Sequence, residues 1–320
     1  MFISGSTALQ FFDRSFYADS DLDIYVEHCY CKPIAVWLTS IGYEFWPRKT
    51  YQSDALDIAL EETLSDSNFD MNNLPQGFFE STSMGYFGRG VSNVYNFHQI
   101  SNPDRKIQLI TSFYAPLEIV LNFHSSKLFT FSHLYTTKII LACVMNLITH
   151  ERAYSLYPHA TFEEHRSLVI STEGSKQEKA RKKYCERGWT MVKTVQDEDI
   201  RNARSDFTHA RRYIGDSRCW TLPILPKVDL PVKVSEDFME TNTWELKYSP
   251  VVKFEVPGQV TVFDDPNVNV KSAGRVEPVM SFTILRLENL RFSYLVVDKS
   301  VQDFLIPVLL QSSKGGRYEL

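Results

Sequence analysis

Ser20-Asp21-Leu22-Asp23-Ile24-Tyr25-Val26 is the stretch on which the fold of this chain turns. Apolar and β-branched residues alternate there with two carboxylates, the pattern of a half-buried strand. Strand side chains alternate faces, so Asp21 and Asp23 fall on one side while Leu22 and Ile24 enter the core. Two carboxylates held together repel each other unless a cation lies between them. Mg²⁺ is a hard ion that takes oxygen ligands and commonly arrives with phosphates. The strand therefore predicts a metal-and-phosphate face.

The residues ahead of it point the same way. Ile3-Ser4-Gly5-Ser6-Thr7 is a small turn feeding a helix expected over Thr7 to Arg14. Glycine lets backbone N–H groups approach a phosphate without a Cβ in the way, and the helix N-terminus adds partial positive charge. The Ser6 and Thr7 hydroxyls offer further hydrogen bonds. Gly5, Ser6 and Thr7 are the candidate phosphate ligands; Asp21 and Asp23 are the candidate metal ligands and catalytic acids.

Gly5-Ser6, a spacer of 14 residues and Asp21-Leu22-Asp23-Ile24 together resemble the Gly-Ser…Asp-x-Asp signature of the DNA-polymerase-β-like nucleotidyltransferases. Within that superfamily the chain is similar to uncharacterised nucleotidyltransferase-like proteins of higher fungi. That likeness rests on Ile3 to Phe12, Lys106-Ile107-Gln108-Leu109-Ile110, Cys143-Val144-Met145-Asn146 and Ala153-Tyr154-Ser155-Leu156. The resemblance implies an α+β domain with a mixed sheet, Mg²⁺ as cofactor, and transfer of a nucleotidyl group from an NTP to an unknown acceptor. It also implies a third carboxylate on a later strand, where this chain offers Gln108. A neutral amide neither acts as a base nor offsets metal charge. Asp104, at a turn, and Asp57, between Leu56 and Ile58, are the other acids in reach of that role. The alternative is a catalytically inactive protein of the same fold, serving as a nucleotide-binding or interaction module.

Composition sets the frame for both readings. The 320 residues are 43% hydrophobic and 13% aromatic, the make-up of a folded chain with room for two domains. A formal charge of −5 gives no general attraction to nucleic acid or anionic membrane. Five scattered cysteines match no zinc spacing and read as free thiols in a reducing compartment. The N-terminus has no signal-peptide pattern, and the most apolar window, Leu128 to Ile148, is interrupted by His133, Lys138 and Asn146. An intracellular protein, cytoplasmic or nuclear, without a membrane span is expected.

Four regions are expected: a nucleotidyltransferase-like domain over 1–125, an inserted stretch over 126–142, a helical segment over 143–219 and a β-rich C-terminal region over 220–320. The insertion reads either as a retained intron or as a genuine helix or strand pair. Strands are expected at Tyr43 to Trp46, Val91 to Ile100 and Lys106 to Thr111. Helices are expected at Pro33 to Ile41, Asp54 to Leu64, Pro116 to His124, Ile139 to Thr149, Ser175 to Arg187 and Asp197 to Tyr213. Prolines from Pro223 onward cut the remainder into short strands, including Val251 to Val256, Val260 to Phe263 and a closing pair at Ser281 to Leu287 and Arg291 to Val297. A last helix, broken by Pro307, is expected at Val301 to Leu310. The basic run Lys176 to Lys183 carries interleaved glutamates and reads as a solvated helix face, as do Arg201, Arg204, Arg211 and Arg212 on the next helix. His124, His133, His150, His159 and His165 follow no metal spacing.

Overall fold

The structure, a computed structural model, describes residues 1–48, 52–61, 90–122, 141–169, 175–193, 195–224, 238–250, 252–256, 259–263, 276–285 and 292–298, with single positions 300, 303, 304 and 307. It is a mixed α+β fold built on one large sheet. β1 (Phe2–Ser4) runs straight into α1 (Gly5–Asp13), and β2 (Leu22–Glu27) returns antiparallel to β1. A short 3₁₀ turn leads to α2 (Cys31–Ser40), β3 (Tyr43–Trp46) and α3 (Leu56–Glu61). α2 ends where sequence places it: Gly42, at φ +90°, follows the last turn and donates to the Thr39 carbonyl at 3.2 Å. β4 (Val91–Gln99) and β5 (Asn102–Ser112) form a hairpin, followed by α4 (Pro116–Asn122).

Beyond these come β6 (Asn146–Ile148), β7 (Arg152–Ser155), a π-helical turn (His159–Glu163) and β8 (Arg166–Leu168). Next follow α5 (Ser175–Glu186), β9 (Thr190–Val192), α6 (Asp197–Arg201), β10 (Ala210–Tyr213) and β11 (Trp220–Pro223). The C-terminal region holds β12 (Thr243–Pro250), β13 (Val252–Val256), β14 (Gln259–Phe263), β15 (Val276–Ser281), β16 (Thr283–Leu285) and β17 (Tyr294–Val296). The main sheet has eight strands in the order β11-β7-β6-β1-β2-β5-β4-β3, and β2 with β5 is its parallel pair. A smaller sheet, β10-β12-β15, lies beside it, and β13–β14 and β16–β17 are two of the short antiparallel pairs.

Strand alternation decides which helix covers which face. Ile24, Val26, Tyr95, Phe97, Ile107 and Leu109 share a core with Ala35 and Leu38 of α2 and Ala59 and Leu60 of α3. Phe2, Tyr25, Val94 and Ile110 face the other way, toward Leu117 and Leu121 of α4 and toward Trp244, Leu246 and Met280 of the smaller sheet. Asp23 belongs to this second face, two residues from Tyr25. The central strands are covered on both sides, which accounts for the near-continuous apolar run Ile107 to Ile110 broken by Gln108 alone.

The structure corrects several expectations. The helix expected at Ile139 to Thr149 is, over its described part, a 3₁₀ turn (Ala142–Val144) followed by β6. A mostly apolar run without a clear period fits helix or strand equally; here β1 needs a partner on its open side, and Ile3 pairs with Ile148. The helix expected across Asp197 to Tyr213 stops at Arg201 and becomes β10. Side chains between them bond to backbone instead: Asn202 Oδ1 accepts from the Arg204 N–H at 3.0 Å, Ser205 Oγ from the Phe207 N–H at 3.2 Å, and Thr208 Oγ1 donates to the Ile200 carbonyl at 2.9 Å. Among the described residues the region 143–219 therefore holds the strands β6 to β10 as well as the helices α5 and α6. The main sheet also takes β6, β7 and β11 from beyond residue 125, so it crosses the boundary expected there. The stretch 126–140 of the expected insertion, the end of the expected helix at 62–64 and nearly all of 301–310 lie outside the described residues.

Candidate functional site

The site is made by the direct passage from β1 into α1. Ser4 sits opposite Asp23 in the β1–β2 pair, and the next residue, Gly5, opens the helix at φ +71°. A Cβ on Gly5 would lie 2.5 Å from Asp23 Oδ2 and 3.5 Å from its Cγ. Only glycine accommodates both the left-handed backbone and that carboxylate. The Asp23 carboxylate therefore rests against the first turn of α1, where the helix dipole favours negative charge.

The neighbouring hydroxyls are engaged. Ser6 Oγ shares a hydrogen bond of 2.8 Å with the Tyr184 hydroxyl. Thr7 Oγ1 donates to the Asp21 carbonyl at 3.0 Å, tying α1 to the entrance of β2. Ser4 Oγ donates to the Asn146 carbonyl at 2.7 Å, which secures β6 beside β1. Gln10 stiffens the same turn, donating to the Ser6 carbonyl at 3.2 Å and accepting from the Tyr17 N–H at 2.6 Å.

Beside Asp23 on the parallel strand stands Gln108, its register partner, and Asn96 of β4 is the partner of Gln108. A row Ser4–Asp23–Gln108–Asn96 thus crosses four strands. The two other acids considered for a third carboxylate lie elsewhere. Asp57 sits on α3, which packs on the opposite sheet face, and pairs with Lys32 at 3.6 Å. Asp104 lies in the exposed start of β5, about 13 Å along the strand from Gln108 at ~3.3 Å per residue.

Sequence reading missed the part of the site that α5 supplies. Tyr184, in its last turn, is buried against Leu9, Cys143 and Trp189. Burial pushes its phenol well above the ordinary range; the fields of Cys143 and Asp23 add to that, while the Ser6 hydrogen bond and Arg187 oppose it. Lys183 and Arg187 flank it and reach Asp19 in the connection between α1 and β2, at 3.0 and 2.6 Å. The Lys183 hydrogen bond is the leading cause that holds the Asp19 carboxyl below its usual value. The Arg187 guanidinium lies 3.8 Å from the centre of the Tyr17 ring and 5.3 Å from that of Tyr184. The signal available in sequence was Tyr184 itself, a lone aromatic in an otherwise charged helix.

No protein-family model, no curated protein and no solved structure matches this chain. The site's chemistry must be read from its own residues. Asp23 and Gln108 are register partners, while Asp21 stands just ahead of β2, its carbonyl held by Thr7. Among the described residues no group of three or more His, Cys, Asp and Glu side chains is gathered to hold a metal. His150 and His159 pair with nearby glutamates, at 3.2 Å to Glu151 and 3.2 Å to Glu163; His124 and His133 lie outside the described residues. Arg212, expected on a solvated helix, is instead buried in β10 and bonded to Asp216 at 2.6 and 3.0 Å. All five cysteines are free. No helix among the described residues is long and apolar enough to cross a membrane.

Proposed function

We propose that this chain binds the phosphates of a nucleoside triphosphate at the Gly5–Ser6 turn and does not transfer the nucleotidyl group. Support for the binding half is the first turn of α1, which a left-handed glycine opens beside Ser6 and Thr7. Asp23, with Asp21 close in sequence, would hold a Mg²⁺ ion travelling with the phosphates, and that ion would offset phosphate charge. The observation that carries the non-catalytic half is Gln108 at the register position beside Asp23. A phosphoryl-type transfer needs a group that accepts the acceptor's proton and carboxylates that offset two metal charges. An amide does neither.

The fold reading is the nucleotidyltransferase-like one, supported by the Gly-Ser…Asp-x-Asp spacing together with a mixed sheet in which the Asp-x-Asp strand is central. The test is calorimetric titration of ATP and GTP with MgCl₂ into the full chain and into Asp23→Asn and Ser6→Ala. Micromolar to millimolar binding weakened by both substitutions is expected. Absence of binding by the parent chain sinks the reading.

A further inference from the structure

We propose that Tyr184 is a built-in competitor for Ser6, so that the Gly5–Ser6 turn is latched shut by α5 and opens to a phosphate oxyanion. This rests on the phosphate-binding reading above and adds how the same site is regulated. The Ser6 hydroxyl is the side-chain donor best placed at the start of α1, and its partner in this structure is the Tyr184 hydroxyl at 2.8 Å. A phosphate oxygen bound at Ser6 takes the place of that phenol.

What holds the phenol there is a clasp on both sides of it. Lys183 and Arg187 both bond to Asp19, and Arg187 stacks on Tyr17, so the end of α5 is fastened to the connection that leads into Asp21. The Lys183 half of that fastening is weak: the Asp19 side chain is 67% exposed and that of Lys183 37%, and exposed ion pairs of this kind contribute little and are screened by salt. The closed arrangement also leaves a cost inside. Arg187 has a side chain only 9% exposed, and its Nη1 has no hydrogen-bond partner among the described residues. A buried guanidinium N–H without a partner is destabilising, so the closed arrangement gives up part of its stability there.

The experiment is calorimetric titration of inorganic tripolyphosphate with MgCl₂ into the full chain, Tyr184→Phe, Ser6→Ala, the double variant, and Asp19→Asn. Removing one competing hydrogen bond is expected to tighten binding about two- to tenfold in Tyr184→Phe. The gain is expected to vanish in the Ser6→Ala background, since no hydroxyl remains to compete for. Asp19→Asn, at an exposed carboxylate that does not touch the core, is expected to tighten binding in the same direction. Its gain shrinks as KCl is raised, and it serves if Tyr184→Phe loosens the packing around Trp189. Unchanged or weaker binding in both Tyr184→Phe and Asp19→Asn, with Ser6→Ala still weakening it, overturns the latch and leaves the phosphate site standing. Absence of tripolyphosphate binding in every protein of the set overturns both.

Discussion

Gly5→Ala is the substitution that probes the site's geometry most sharply. Two separate costs follow from the structure. The backbone at φ +71° disfavours any residue with a Cβ, by about 1–2 kcal/mol. The new methyl would also sit 2.5 Å from Asp23 Oδ2, which must move, and overpacking of that kind costs roughly 1–3 kcal/mol. Together they come to about 2–5 kcal/mol. Asp23→Ala separates the two costs. It removes the oxygen and Cγ, leaving the Asp23 Cβ at 3.7 Å, an ordinary contact. In that background Gly5→Ala is expected to cost only the conformational part, about 1–2 kcal/mol. Urea unfolding of the four proteins, followed by far-UV circular dichroism, gives the coupling directly, provided the slope with denaturant is unchanged. A cost for Gly5→Ala below about 0.5 kcal/mol, or an equal cost in both backgrounds, refutes the placement of Asp23 against the helix start.

Three further outcomes are expected. Arg212→Met leaves Asp216 buried without its cation and is expected to cost about 3–5 kcal/mol in urea unfolding, whereas Arg212→Met with Asp216→Leu recovers much of that loss; equal losses argue against a buried pair. Burial holds the His28 imidazole below its ordinary 6.5, so the unfolded chain takes up the proton first and stability falls as pH drops through that value. His28→Asn is expected to flatten the stability slope between about pH 7 and pH 5, and an unaltered slope contradicts the assignment. Burial also pushes the Cys143 thiol up to about 12, while Cys29 and Cys185 are exposed. Ellman's reagent should modify Cys29 and Cys185 in the native chain and Cys143 only on unfolding, a pattern that peptide mapping reads out.

What sequence revealed and what it hid have physical causes. β2 and α1 were legible because each carries its own local signal: alternation with β-branched residues in one, a glycine turn in the other. β13, β14, β16 and β17 were legible from short apolar runs set between breakers. β6 was not, since Leu141 to Thr149 has no period that separates a helix from a strand, and its state is set by Ile3 across the sheet. β10 was hidden for a related reason. The arginines at 201, 204, 211 and 212 look like a helix face, yet Arg212 turns inward to a bidentate partner four residues on. In the N-terminal half of the site, Gly5 and Asp23 stood out in their own stretch and Gln108 through the family resemblance, but the contact of Gly5 with Asp23 and the register of Asp23 beside Gln108 are set by the sheet. Tyr184 and its clasp did not stand out, since they join residues more than 160 positions apart along the chain.

The central claim is that this site binds a nucleotide and stops there, and pyrophosphate release tests it most directly. The full chain is incubated with each of ATP, GTP, CTP and UTP in MgCl₂, with Asp23→Asn as the blank and Gln108→Asp as a variant that adds a carboxylate beside Asp23. The expected result is nucleotide binding by the full chain with pyrophosphate release no higher than the Asp23→Asn blank. Release by the full chain above that blank, with any of the four nucleotides, contradicts the claim and makes Gln108 compatible with catalysis.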